Sequence, residues 1–311
     1  MKVAILVPCY NEELTIEKVI KDFKRELPDC DIYVYDNNSK DNTHKIANEN
    51  GAIVKKEYRQ GKGNVVRSMF MDIDADCYVM VDGDDTYPAE FVHALIEPIK
   101  NKEANMVIGD RLSNGTYKNE NKRIFHNFGN TLVRVLINKL FSSNINDIMT
   151  GYRSFDKEFV KSMPILSGGF EIETEMSIHA LDKKFLIKEI PIIYRDRPEG
   201  SFSKLNTIND GMRVLKTILT LFKDYKPMGF FTFWSMLFLL LGLATGFPVI
   251  YEFIKTSYIT KVPSAILAVG LVLLSTLSLG CGLILDTVVK QNKRLYELRL
   301  NEIKYNINCN S

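Results

Sequence analysis

From Pro227 to Tyr251, and again from Val262 to Leu285, the chain carries no charged residue. Each stretch exceeds the roughly 20 apolar residues that cross a bilayer as a helix. Core helices of soluble proteins rarely run so long without a charge, so the pattern predicts two membrane-spanning helices. Lys223 and Lys226 precede the first stretch, and Lys290, Lys293 and Arg294 follow the second. Lysine and arginine concentrate on the cytoplasmic side of such spans. The expectation is an integral plasma-membrane protein with its N-terminal domain and C-terminal tail both cytoplasmic. Gly242 and Gly246 form a small-xxx-small pair, a signal for homo-oligomers formed through the spans.

The expected organisation is a soluble domain over 1–204, an amphipathic region over 205–226, a transmembrane hairpin over 227–289 and a tail over 290–311. In the second region Ile208, Met212, Leu215, Ile218, Leu219 and Phe222 recur at helical spacing. Such a helix lies on a membrane surface or packs against the soluble domain, and the pattern leaves both readings open. The opening run "MKVAILVPCYNEE" is too short and too soon acidic for a signal peptide, and reads as a buried strand. A net charge of +2 gives no footprint for nucleic acid. The five cysteines show no metal-ligand spacing and read as reduced thiols.

Within the soluble part, apolar runs alternate with amphipathic ones: "KVAILVPCY", "EELTIEKVIKDFKREL", "CDIYVYDNNS", "DNTHKIANENG", "AIVKKEY", "GKGNVVRSMFMDI" and "CYVMVDGDD". Alternating strands and helices predict an α/β fold with a mostly parallel, Rossmann-like sheet. Ligands of such sheets bind beyond the carboxyl ends of the strands. Polar residues collect there: Asn11 and Glu12, Asp36 and Asn37, then Asp82, Asp84 and Asp85. Neither GxGxxG after the first strand nor GxxxxGK[ST] occurs, which disfavours dinucleotide-binding and P-loop readings. Carboxylates without histidine or cysteine suit a hard cation such as Mg2+ or Mn2+. The competing reading is a solvated acidic turn, with Asp85 capping a helix near Pro88. Asp82 and Asp84 are expected on one side of the strand end, with Gly83 permitting close approach.

"VPCYNEE", "DNNSKDNT", "GKGNVVR" and "VDGDDTYP", in this order, resemble the inverting family-2 glycosyltransferases. With "GDRL", "DIMTGYRSF", "GGFEIETEM" and "RPEGSFSK", and with two C-terminal spans, the chain resembles their polyprenyl-phosphate sugar synthases, which include the dolichyl-phosphate-mannose and undecaprenyl-phosphate-glucose enzymes. The resemblance implies a GT-A fold that binds a nucleotide-sugar donor through a divalent metal. It also implies transfer of the sugar to the phosphate of a polyprenyl phosphate, with inversion, on a membrane lipid surface. Its D-x-D falls on Asp82 and Asp84 as the metal site. Pro8, Tyr10 and Glu12 would line the nucleotide pocket, Asp36 would bind the base, and Lys62 would approach the diphosphate, although a solvated turn lysine remains open. The sequence departs from the family at Asn37, where an aspartate is usual, and at Thr86, where a glutamine is usual. Asp85 is a substitute for the third metal contact.

For the lipid phosphate, the resemblance implies Arg111 and Arg123, with Lys122 adjacent to the latter. Arg197, Ser203 and Lys204 are further candidates, with membrane anchoring as the alternative. Asp147 reads as base or acceptor-site carboxylate, or as a partner orienting Arg153. Glu173 and Glu175 stand at a helix start, which they would also favour electrostatically. "VDGDDTYP" with "DNNS" inclines the donor toward UDP-glucose or UDP-N-acetylglucosamine, with GDP-mannose as the alternative. A processive polysaccharide synthase is disfavoured, because only two spans follow the domain and no Q-x-x-R-W occurs. A non-catalytic scaffold binding nucleotide sugars or lipids is the reading from another class.

Overall fold

Each apolar run expected to be a strand becomes one, buried at the centre of the sheet and exposed at its Ile53–Lys56 edge. The computed structural model describes residues 1–113, 124–169, 171–196, 220 and 222–310. The strands are β1 (Val3–Cys9), β2 (Asp31–Asp36), β3 (Ile53–Lys56), β4 (Cys77–Met80), β5 (Met106–Asp110), β6 (Arg153–Asp156) and β7 (Ile187–Pro191). The helices are α1 (Ile16–Glu26), α2 (Thr43–Glu49), α3 (Lys62–Asp72), α4 (Val92–Lys100), α5 (Ile124–Phe141), α6 (Lys157–Ser162), α7 (Ile172–Asp182), α8 (Pro227–Thr256) and α9 (Val262–Asn310).

All seven strands share one sheet in the order β3-β2-β1-β4-β6-β5-β7. Every pairing is parallel except the two made by β6, which runs antiparallel between β4 and β5. All four residues of β4 are buried, as expected of a central strand covered on both faces. On α1, Ile16, Val19, Ile20 and Phe23 turn one stripe into the core, the i, i+3, i+4, i+7 spacing of a helix packed on a sheet. Phe23 meets Tyr152 edge-on at 6.1 Å, and burying a side chain of that size contributes about 1.5–3 kcal/mol. Strand order reverses between β1 and β4, so the crevice beyond their carboxyl ends is a topological switch point.

Two compact units result: Met1–Gly211 with Glu302–Ser311, and Met212–Asn301. The second contains α8 and most of α9, both long and apolar enough to cross a membrane. Large apolar side chains on them stay uncovered, Phe247 at 70%, Ile266 at 69% and Leu277 at 64% exposure. A soluble core would have buried such residues, so the exposure favours contact with lipid. Ser235 and Ser275 hydrogen-bond across the two helices at 3.0 Å. Gly242 and Gly246 also face α9, within the chain itself. A Cβ on Gly242 would lie 3.0 Å from Val272 and 3.3 Å from the Ala268 carbonyl. The small-residue pair expected to join copies thus closes the hairpin. The second span and the tail, expected as separate segments, form one unbroken α9, because no glycine or proline falls between Leu283 and Asn310. The amphipathic segment over 205–226 lies outside the described residues except at its end.

Candidate active site

Loops after the first two strands are stitched together at the mouth of the crevice. Asn11 adopts a left-handed φ of 53°. Its N–H donates to Ser39 Oγ at 2.9 Å, and its Oδ1 accepts from the Lys40 N–H at 2.8 Å. The Glu12 N–H donates to Thr43 Oγ1 at 2.8 Å. Pro8, Tyr10 and Glu12 are half-buried along this rim. Asp36 is buried and accepts from the Ser39 N–H at 3.0 Å. Asn37, at the place of a usual aspartate, serves as a clamp. Its Nδ2 donates to the carbonyls of Glu57 and Arg59, and its Oδ1 accepts from the Gly61 N–H at 2.7 Å. An aspartate could not donate to those two carbonyls.

Below the rim, β4 ends at Met80 and the chain passes close under β1. A Cβ on Gly83 would sit 2.8 Å from Cys9 Sγ, so only glycine fits there without a shift. Thr15 Oγ1 donates to the Gly83 carbonyl at 2.6 Å and fixes the turn. Asp84 is buried, and its Oδ1 accepts from both the N–H and the Oγ1 of Thr86, at 3.2 and 2.6 Å. Thr86 therefore orients Asp84. Asp85 neither caps a helix nor joins its neighbours. It takes a left-handed φ of 57° and pairs with Lys18 at 2.6 Å, and Pro88 precedes the short helical turn that leads into α4. Burial first, then Glu12, Asp36, Asp82 and Asp84 in turn, push the Cys9 thiol far up its titration range. Those four carboxylates, from three different strand ends, thus act on one point.

Lys62 opens α3, between two glycines that both touch another loop. Gly61 has φ 124°, and a Cβ there would lie 2.0 Å from the Gly168 carbonyl oxygen. The Gly63 N–H donates to the Gly169 carbonyl at 3.1 Å. From this seat Lys62 Nζ reaches Asp82 Oδ1 and Glu173 Oε1, each at 2.5 Å. Burial opposes its charge, but the two carboxylates outweigh burial and hold its pKa above the ordinary lysine value. Lys62 is thus no solvated turn residue. Glu175, two residues on, accepts instead from the N–H groups of Leu166 and Ser167, both at 2.9 Å.

Arg111 and Asp147 meet in a fork after β5. Arg111 Nε and Nη2 donate to the two Asp147 oxygens at 2.7 and 2.9 Å, the planar pairing that a guanidinium favours. Both residues are buried. Burial raises the Asp147 pKa, yet Arg111 overrides it and keeps the carboxyl below the usual range. A carboxylate so held is a weak proton acceptor. Arg153 donates to Thr150 O at 3.0 Å and Ser177 Oγ at 2.9 Å, and Asp147 acts on it through charge attraction.

Sequence reasoning missed several residues that build this corner. Tyr87 accepts from Arg111 Nη1 at 3.3 Å and from the Gly151 N–H at 3.0 Å. Gly151 in turn lies against Asp82, where a Cβ would come 2.4 Å from Oδ2. One tyrosine thus joins the arginine fork to the acidic strand end. Tyr194 lies under the Arg111 guanidinium at 5.5 Å, and Glu189 accepts from the Asp147 N–H at 3.0 Å. The motif "TYP" was the available signal for Tyr87; Glu189 and Tyr194 carried none. Arg123, Arg197, Ser203 and Lys204 lie outside the described residues.

A divalent cation fits the chemistry of this donor set. No group of three histidine, cysteine, aspartate or glutamate side chains gathers as a metal cage among the described residues. Asp82 and Asp84 nonetheless offer hard oxygens at a crevice floor. Mg2+ typically uses one or two protein carboxylates and completes its shell with water and substrate phosphate.

The comparisons with known proteins agree with this architecture. Residues 4–163 match the model of "Glycosyl transferase family 2". Glycosyltransferase AglJ of Haloferax volcanii is 31% identical over 304 residues, covering 95% of this chain and 98% of that one. A dolichyl-phosphate hexose transferase of the same organism is 29% identical over 216 residues, covering 70% of this chain and 92% of its own. Among solved structures, glucosyl-3-phosphoglycerate synthase from Mycobacterium tuberculosis, in complex with Mn2+, UDP and glucosyl-3-phosphoglycerate, superposes with a TM-score of 0.58 at 21% identity. That match covers 71% of this chain and 79% of the other, and it shows the shared GT-A fold. The chain belongs to glycosyl transferase family 2, and polyprenyl-phosphate sugar transferases are among its relatives.

Proposed function

We propose that this protein transfers a single sugar from a nucleotide-sugar donor to a polyprenyl phosphate, with inversion, at the cytoplasmic face of a membrane. The observation that carries the reading is one contact chain: the Arg111–Asp147 fork is joined through Tyr87 and Gly151 to the Asp82 carboxylate. It supports the reading because Arg111, which we assign to the acceptor phosphate, is linked by contacts to Asp82, which we assign to the donor side. The two apolar helices and the name of the dolichyl-phosphate relative support a lipid acceptor.

In this mechanism Pro8, Tyr10 and Glu12 line the nucleotide pocket and Asp36 receives the base. Asp82 and Asp84 would hold Mg2+ or Mn2+, which when bound neutralises charge on the departing nucleoside diphosphate. Lys62 directs a further cation toward the same leaving group. Arg111, with Arg123 and the Arg197, Ser203 and Lys204 segment, holds the acceptor phosphate. That phosphate is largely ionised near neutrality, because its second pKa is about 6. Its oxygen attacks the anomeric carbon from the face opposite the leaving group without a strong base. This matches an Asp147 whose proton-accepting oxygens are committed to Arg111, making it a positioning residue. The donor we propose is UDP-glucose or UDP-N-acetylglucosamine.

The test is mass spectrometry of the lipid after incubating the detergent-purified chain with undecaprenyl or dolichyl phosphate, Mn2+ and a panel of UDP- and GDP-sugars. One added hexose or N-acetylhexosamine is expected from a UDP-sugar. A gain only from GDP-mannose would replace the donor, and no gain from any donor would remove the proposal.

A further inference from the structure

Asp82 is claimed twice. It is a carboxylate for a divalent ion in the reading above, and it already holds the ammonium of Lys62 at 2.5 Å. Two cations held on one carboxylate repel each other, so each weakens the other's hold on Asp82. The same ammonium has a second anchor, Glu173 Oε1, also at 2.5 Å, whose side chain is only 6% exposed. Glu173 lies in the first turn of α7, 111 residues away in sequence. Its place relative to Lys62 is fixed by backbone. The turn that carries Lys62 packs on 167–169 through the Gly63 N–H to Gly169 O bond and through the bare faces of Gly61 and Gly63. Lys62 therefore bridges two carboxylates at once from a rigid base, with a third N–H left on its nitrogen.

We propose that Lys62 is a tethered counter-cation that competes with a divalent ion for Asp82, and that Glu173 is the positioning residue that keeps Lys62 in the site once the ion has taken Asp82. This deepens the proposed function and rests on its assignment of the metal to Asp82 and Asp84. Held by Glu173, the ammonium stays beside the crevice, and its free N–H groups face the diphosphate of the donor. Without Glu173 it would be a buried cation with Asp82 as its only anionic anchor, and it would cling there. With Glu173 in place, Lys62 would release Asp82 to an incoming ion and turn its N–H groups toward the donor diphosphate.

Mn2+ binding to the full-length protein in detergent, without nucleotide, tests this by electron paramagnetic resonance of the free ion. Lys62→Met is expected to tighten Mn2+ binding roughly tenfold, by removing the competitor; Lys62→Gln is the second variant should the first not fold. Glu173→Gln is expected to weaken binding, and Lys62→Met added to it is expected to restore affinity to the wild-type level or beyond. A purely structural Glu173 would leave the double variant as weak as the single one, overturning its role. Wild-type binding that is lost in Asp82→Asn but unmoved by both Lys62 variants would overturn the competition and leave the metal assignment standing. No Mn2+ binding by wild type or by either Lys62 variant would remove both.

Discussion

Asp84 owes its orientation to a residue two positions on, since Thr86 donates to it from both backbone and side chain. Asp84→Asn keeps that shape and removes the charge. It is expected to reduce sugar transfer by about a hundredfold or more, the scale of losing one preorganised electrostatic group, while the melting temperature stays near wild type. Near-normal turnover would remove Asp84 from the metal site. Arg111 makes the opposite demand, for shape as well as charge. Arg111→Ala leaves the buried Asp147 carboxylate without its guanidinium partner, which costs about 3–5 kcal/mol. Arg111→Lys keeps the charge and loses the fork. It is expected to raise the apparent KM for lipid phosphate several times more than that for donor, as steady-state kinetics with each substrate varied will show. Much of this corner was legible, because Asp82, Asp84, Arg111 and Asp147 stand in motifs of unusual residue types. Their partnerships were not. Arg111 and Asp147 lie 36 positions apart, and Lys62 finds Glu173 only through the packing of two loops. Tyr87 is an ordinary aromatic residue until the fold points its hydroxyl at Arg111.

Periodicity decided most elements, and long-range pairing decided the rest. The first four strands and three helices follow their apolar periods closely. What no local pattern shows is the insertion of β6, antiparallel, between β4 and β5. The end of β6 also carries a pH response. Asp156 caps α6 by accepting from the Phe159 N–H at 2.8 Å, and burial lifts its pKa to about 6. Because the folded state favours the protonated form, its contribution is fullest below the unfolded value near 4 and is lost as pH rises through about 6. Asp156→Asn is therefore expected to flatten the decline of melting temperature between those pH values; an unchanged slope would contradict the assignment. In the hairpin, Gly242→Leu is expected to lower stability by about 1–3 kcal/mol through overpacking against Val272. Gly270→Leu, with nothing within 4 Å of its Cβ position, is the matched control and is expected to hold or raise the melting temperature, since it replaces a mid-helix glycine.

At the scale of the molecule, a family-2 glycosyltransferase domain and two apolar helices share one chain. The charge-free stretches announced the helices, and the motifs at the strand ends announced the domain. The second span and the charged tail run on as a single α9, with no glycine or proline between them to end the helix. In the proposed reaction the acceptor is a lipid phosphate, held by Arg111 beside the acidic strand ends. The most direct measurement compares polyprenyl phosphate with the corresponding polyprenol as acceptors for the purified chain, with one nucleotide sugar and Mn2+. Transfer to the phosphate and none to the alcohol is the predicted result. Equal transfer to both lipids, or transfer to the alcohol alone, would contradict it.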